Sequence, residues 1–211
     1  MQKISVIFDL DGTLWDASEL VAKSWEATGK TFLGDTFKLD GEGARKLMGK
    51  TMDGIISEIA PNVQDRETRE RFSRAFLEAE VEYLKTHPGR LWPRGLETLQ
   101  ALKAAGHRLF IVSNCQNGYI ETFLPIVPAD LFDGYLCWGD THADKHVTIT
   151  ALMEKHGIER AVYVGDTEGD ETQAHLAGLP FIHASYGYGK ATCPEAVADS
   201  FADLPSIVAR F

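Results

Sequence analysis

Five short apolar runs punctuate the chain, at residues 4–8, 108–112, 134–138, 161–164 and 181–184. Most are continuous rather than alternating, which is the pattern of strands buried on both faces of a parallel sheet. Helical spacing fills the intervals between the later runs. Leu96, Leu99 and Leu102 share one face of a stretch that stops at Gly106, and the stretches 147–156 and 170–177 stop at Gly157 and Gly178. A glycine just past the last turn is the common C-terminal stop of a helix. Strand and helix in alternation predict an α/β fold, a doubly wound, Rossmann-like parallel sheet with right-handed crossovers.

Residues 17–91 break this rhythm, because no strand pattern recurs there. Trp25 lies on a first amphipathic stretch, residues 41–49 form a second, and residues 53–60 a third that Pro61 stops. Residues 65–84 give the clearest helix, with Phe72, Phe76, Ala79 and Tyr83 at helical spacing. Such a detour is longer than one crossover needs. It predicts an all-helical insert: residues 1–16 and 90–211 build the core domain, and residues 17–89 a cap.

Composition narrows the class without choosing a function. The 211 residues are 44% hydrophobic and 25% charged, ordinary for a globular protein, and the net charge is -10. No dense Lys/Arg run is present, so nucleic acid and anionic membranes have no electrostatic footing as partners. No apolar run reaches the length of a membrane span. Met-Gln-Lys leads straight into the first strand without a secretory h-region. Cys115, Cys137 and Cys193 make neither a metal-type pair nor a disulfide framework. These features predict a cytoplasmic protein, and nothing in the pattern specifies an oligomeric state.

The chemistry gathers at the strand ends. In an open parallel sheet, ligands bind at the carboxyl edge. The first strand ends in Asp9, Asp11, Gly12 and Thr13, the second in Ser113 and Asn114, and the fourth in Gly165, Asp166 and then Asp170. Lys145 follows the third. One edge of the sheet thus collects four carboxylates, a hydroxyl and an ammonium. Like charges packed so closely repel unless a cation offsets them. An oxygen-only set of Asp9, Asp11, Asp166 and Asp170 selects magnesium over zinc, and magnesium commonly partners phosphate. Ser113 can donate to a phosphate oxygen and Lys145 can offset its charge. Gly12 lets the backbone come close enough to cradle an anion. One strand-end acid can attack phosphorus while the other protonates the leaving alcohol and then activates water. Spacing alone does not say which attacks.

The four segments "DLDGT" (9–13), "IVSN" (111–114), Lys145 and "VGDTEGD" (164–170) resemble, in order and spacing, the four motifs of the haloacid dehalogenase-like hydrolases. "LKAAGHRLFIVSN" and "ASYGYG" are similar to the phosphoglycolate-phosphatase-like branch, and the helical insert resembles that family's cap. The resemblance implies a magnesium-dependent phosphatase acting on a small phosphorylated metabolite, phosphoglycolate being the branch's substrate. It implies Asp9 as nucleophile and metal ligand, and Asp11 as general acid/base with its backbone carbonyl on the metal. Thr13 and Ser113 would hold the phosphoryl group with Asn114 beside them. Lys145 would orient Asp9, Asp166 would ligate the metal, and Asp170 would support it through water or by holding Lys145. Two positions depart from the common pattern: His146 stands where relatives often have proline, and Cys115 where they often have lysine.

Other readings remain at this stage. A phosphorylation-responsive domain also groups acids, a hydroxyl and a lysine, but its phosphorylated aspartate lies on a later strand. A non-catalytic interaction protein on the same fold would show damage to the acid set. A phosphomutase of the family carries a histidine leading into the cap, whereas "SELVAKSW" has none. Within the insert, Arg45 and Lys50 flank "KLMG" and are candidates for a second anionic group on the substrate, or simply a solvated helix face. His142 and His146 lack a third ligand, and Tyr186 and Tyr188 read as turn residues near the rim between core and cap.

Overall fold

The computed structural model describes residues 3–211. The chain opens with β1 (Ser5–Phe8) and β2 (Trp15–Asp16). It then runs through four helices, α1 (Ser18–Leu33), α2 (Gly41–Leu47), α3 (Met52–Ile59) and α4 (Arg66–Thr86). After β3 (Arg90–Leu91) come α5 (Gly95–Ala104), β4 (Arg108–Ser113), α6 (Ile120–Phe123), β5 (Gly134–Cys137), α7 (Trp138–Thr141) and α8 (Lys145–His156). The remainder is β6 (Ala161–Gly165), α9 (Glu168–Leu176), β7 (Phe181–Ala184), β8 (Ala196–Ala198) and α10 (Leu204–Val208).

Six strands form one parallel sheet in the order β5-β4-β1-β6-β7-β8. β1 is central, with Phe8 registered against Ile111 on one side and Val164 on the other. Alternate residues of a strand point to opposite faces, and here both faces are covered. Val6, Phe8, Leu109, Ile111, Val162 and Val164 pack into one apolar cluster. Ile7, Phe110, Val112 and Tyr163 pack into the other, against Ile149 and Leu152 of α8. The continuous apolar runs in the sequence are the consequence of this double burial. The topology reverses at β1, which leads to β6 on one side and β4 on the other, so its carboxyl end is where an α/β sheet opens a crevice.

The expected strands are present with small shifts. Residue 138 does not extend β5: Trp138 begins α7, whose first turn is fixed where the Asp140 carboxylate accepts from the Cys137 amide. Three strands escape the apolar pattern. β2 and β3 have two residues each and pair antiparallel, Trp15 with Leu91 and Asp16 with Arg90. β8 lies at the sheet edge with Val197 exposed. Between β2 and β3 the chain is helical only. α4 packs along α1 and α3, with Phe72 stacked on Phe32 at 4.6 Å between centroids and Phe76 against Trp25. The Asp65 carboxylate caps α4 by accepting from the Thr68 amide. No helix among the described residues is long and apolar enough to cross a membrane.

Candidate active site

The carboxyl end of β1 delivers Asp9 into the crevice, and two later elements close on it. Lys145 is the first residue of α8, and its Nζ lies 2.8 Å from Asp9 Oδ1 and 2.6 Å from Asp170 Oδ1. All three residues, with Asp166, are at most 3% exposed. Asp170 is held from its other side: Oδ2 accepts from the Thr167 amide and hydroxyl, and the Thr167 hydroxyl in turn caps α9 by accepting from the Asp170 amide. The capping box that starts α9 therefore also aims a carboxylate at Lys145.

Burial pushes Asp9 well above the usual carboxylate range; Lys145 opposes this, while Asp170 and Asp166 add to it. Asp166 is pushed up to about 7 by burial, with Asp170 adding. For Lys145, burial works against the charged form, but the attraction of Asp170 and Asp9 outweighs it and holds the ammonium well above its ordinary value. Three buried acids thus face one ammonium.

Carboxylate oxygens of Asp9, Asp166 and Asp170 come within 4.8 Å of one another. This set fits a hard divalent cation: it is oxygen-only, buried, and carries more negative charge than Lys145 offsets. Two glycines make the packing around it possible. A Cβ on Gly12, whose φ is +79°, would stand 2.3 Å from Asp166 Oδ2. One on Gly187 would stand 2.3 Å from the Asp166 Cβ. The Tyr188 amide, donating to Asp166 Oδ2 at 2.7 Å, completes this wall.

Asp11 stands apart from the triad. Its side chain turns away, and Oδ1 accepts from Trp15 Nε1 and from the Tyr119 hydroxyl, both at 2.9 Å. Burial raises it to about 6, against the lowering effect of those two hydrogen bonds. The resemblance puts the Asp11 backbone carbonyl on the metal, and its carboxylate lies outside the triad of Asp9, Asp166 and Asp170. Thr13 is fully buried and its hydroxyl lies 3.4 Å from Asp166 Oδ1. Ser113, at the end of β4, lines a small cavity together with Asp11 and Asn114.

The Asn114 Nδ2 donates to the Gly49 carbonyl, between α2 and α3, at 2.8 Å. Arg45 lies at the β2–α1 junction, with Nε donating to the Ser18 hydroxyl at 2.9 Å and Nη2 3.5 Å from Asp16. Lys50 sits on the rim of the cavity, in an ion pair with Glu58.

Residues 6–184 match the haloacid dehalogenase-like hydrolase family. The phosphoglycolate phosphatase of Vibrio vulnificus (strain YJ016) is 32% identical over 228 residues, covering 98% of this chain and 97% of that one. A predicted phosphoglycolate phosphatase from Haemophilus somnus 129PT, known as a crystal structure, superposes with a TM-score of 0.83 at 25% identity, covering 99% of each chain. CbbY from Rhodobacter sphaeroides, crystallised with phosphate, shares the fold at a TM-score of 0.81 and 24% identity, covering 96% of each chain. The chain belongs to the haloacid dehalogenase-like hydrolases. As a member of that family with this acid set it is a phosphoric monoester hydrolase.

Several residues around this hydrolase site have no signature in the sequence. Trp15 packs edge-on against Phe123 at 5.4 Å, and its N–H also holds Asp11. Tyr119 reaches Asp11 across 108 residues of sequence. Tyr186 and Tyr188 do lie in a turn, but the Tyr186 hydroxyl donates to the Thr13 carbonyl and the Tyr188 hydroxyl to Asp16. Glu80, on α4, is buried in the same cavity as Asp11. Only the "SYGYG" glycine spacing, which marks a tight turn beside the sheet edge, offered a signal for any of these contacts.

Proposed function

We propose that this hydrolase is a magnesium-dependent phosphatase that cleaves a small phosphomonoester through a phosphorylated Asp9. The observation that carries this reading is the Lys145 grip. Nζ fixes Asp9 through Oδ1, while Asp9 Oδ2 accepts no hydrogen bond from the described residues and stays available for attack. Asp9 Oδ2 forms a bond to phosphorus as the ester P–O bond breaks, and Asp11 gives its proton to the departing alcohol oxygen. Water then attacks the phosphorus, Asp11 takes a proton from it, and the bond from phosphorus to Asp9 breaks. The rise of Asp11 to about 6 suits an acid that must both give and take a proton near neutrality. Ser113, Thr13 and the backbone at Gly12 orient the phosphoryl group, and Lys145 offsets its charge. Asp9, Asp166 and Asp170 would hold the magnesium, which supplies positive charge to the transferring phosphoryl group.

In this reading residues 1–16 and 90–211 form the catalytic core, and residues 17–89, containing α1–α4, a cap that closes over it. The cavity between them, about 40 Å³, has room for a few waters but not for a phosphoester. It shares Gly49 and Asn114 with an outer cleft of about 390 Å³ that reaches Lys145 and Asp170. Movement of α2 and α3 away from Asn114 would join the two spaces and admit a substrate.

The test is hydrolysis of p-nitrophenyl phosphate with magnesium, with EDTA, and by Asp9→Asn, using phosphoglycolate as the reference natural ester because the relatives carry that name. Magnesium-dependent release is expected, absent in EDTA and lost by at least about 10³-fold in Asp9→Asn. Full activity in EDTA sinks the metal assignment, and full activity of Asp9→Asn sinks the nucleophile.

A further inference from the structure

The cap contributes one acid that the reaction above does not use. Glu80 lies in the last third of α4, is 4% exposed, and lines the cavity that contains Asp11 and Ser113. The cavity walls around it are apolar, formed by Met48, Met52, Ile55 and Leu77. A carboxyl group so placed is costly unless something satisfies it. No described cation pairs with it. Lys50, on the rim, is engaged by Glu58, and Arg45 is engaged by Asp16 and Ser18 outside the cavity. The group facing Glu80 is the indole of Trp25, whose N–H makes no hydrogen bond of normal geometry. A carboxylate has about four acceptor sites, so one indole N–H would leave most of them open even at close range.

An acid and an unsatisfied indole N–H therefore border the same cavity as Asp11 and Ser113. A hydroxyl group complements both, since it donates one hydrogen bond and accepts another. A carboxylate would have to give up its water against these apolar walls, beside Asp11 and with no uncommitted cation to offset it. Burial, with Asp11 adding, already pushes Glu80 well above the usual carboxylate range, so the surroundings resist further negative charge.

We infer that Glu80 is a specificity residue, which selects phosphomonoesters whose leaving alcohol carries a hydroxyl on a small carbon skeleton and rejects those whose leaving alcohol carries a carboxylate. This rests on the phosphatase reading above and names the substrate class for it. The carbon skeleton lies against the methionines and Leu77, and the hydroxyl bridges Glu80 and Trp25.

The experiment compares three esters of similar size in one magnesium-containing assay: glycerol 1-phosphate, propyl phosphate and phosphoglycolate. Wild-type kcat/KM is expected to favour glycerol 1-phosphate over each of the others by at least about tenfold. Glu80→Gln keeps a hydrogen-bonding group but can no longer ionise, so the discrimination against phosphoglycolate should fall by about tenfold or more. Glu80→Leu removes the acceptor, so glycerol 1-phosphate and propyl phosphate should become equivalent. Phosphoglycolate equal to or better than glycerol 1-phosphate in the wild type overturns the inference. So do selectivity ratios that stay fixed in both variants. Binding is read separately, as the rise in Tm of Asp9→Asn protein with each ester. If no ester is turned over but glycerol 1-phosphate stabilises most, the phosphatase reading falls and the Glu80 assignment stands. If phosphoglycolate stabilises as much or more, the Glu80 assignment falls whatever the catalysis, and it does so even where the Glu80 variants fail to fold.

Discussion

Asp9 and Asp11 are two residues apart and carry the same functional group, yet their neighbours give them different work. Asp9 is gripped by an ammonium that favours its charged form; Asp11 faces Trp15 and Tyr119, neutral donors that do so less strongly. Both donors converge on Oδ1, and Oδ2 of Asp11 accepts no hydrogen bond from the described residues, so in the proposed mechanism it is Oδ2 that carries the proton. The Tyr119 hydroxyl lowers the Asp11 carboxyl from where burial alone would put it. Tyr119→Phe deletes that hydrogen bond and little else, so Asp11 should move up from about 6. Because kcat/KM reports the acid form during attack, its fall on the alkaline side should shift to higher pH in Tyr119→Phe. A pH–rate profile with an alkyl phosphate such as propyl phosphate, whose leaving alcohol needs that proton, checks this. An unmoved alkaline limb would mean that some other group sets it.

At the scale of elements, apolar packing and two sets of polar contacts join the helices α1–α4 to the sheet. One is the junction at β2, where Asp16 accepts from the Ser18 amide and hydroxyl and from the Tyr188 hydroxyl, with Arg45 above the Tyr188 ring. The other is the single hydrogen bond from Asn114 to the Gly49 carbonyl, two residues that line the cavity. A hydrogen bond contributes about 1 kcal/mol net, so Asn114→Ala should shift the closure equilibrium about fivefold toward open. Its signature is faster amide exchange in α2 and α3, together with a higher KM; exchange that stays at the wild-type rate would deny Asn114 a role in closure. These elements also show what the sequence could and could not tell. β1, β4, β5, β6 and β7 were legible because each shows a continuous apolar run, written in β1, β4, β6 and β7 by burial on both faces. β2, β3 and β8 were not, because two or three residues cannot display a period. Asp9, Lys145, Asp166 and Asp170 were legible as strand-end and helix-start residues in order. Tyr119, Trp25 and Glu80 reach the same cavity only through the packing of α1 and α4 on the core, which no local pattern records.

Over the whole molecule, net charge is -10, and the buried triad concentrates part of that charge where water cannot screen it. Asp166 goes from an ordinary 3.8 to about 7 on folding, and Asp9 also rises, with burial the first cause for both. A carboxyl whose folded pKa is raised binds its proton more tightly in the native state. Its contribution is therefore fully present below about 3.8 and is lost as pH rises toward about 7. Lys145, raised in its turn, stays protonated through this range and adds no slope of its own. The metal-free protein should thus lose stability between pH 5 and pH 8, and Asp166→Asn should flatten the loss. On the proposed function, magnesium would bind the deprotonated acids, so its benefit should run the opposite way with pH. At a concentration a hundredfold above its Kd it adds about 2.7 kcal/mol. Thermal unfolding with and without magnesium should show a large rise in Tm at pH 8 and a small one at pH 5. Equal rises at both pH values would place the ion elsewhere on this acidic surface, because only a site built from acids that are still protonated at pH 5 makes magnesium compete with protons across that interval.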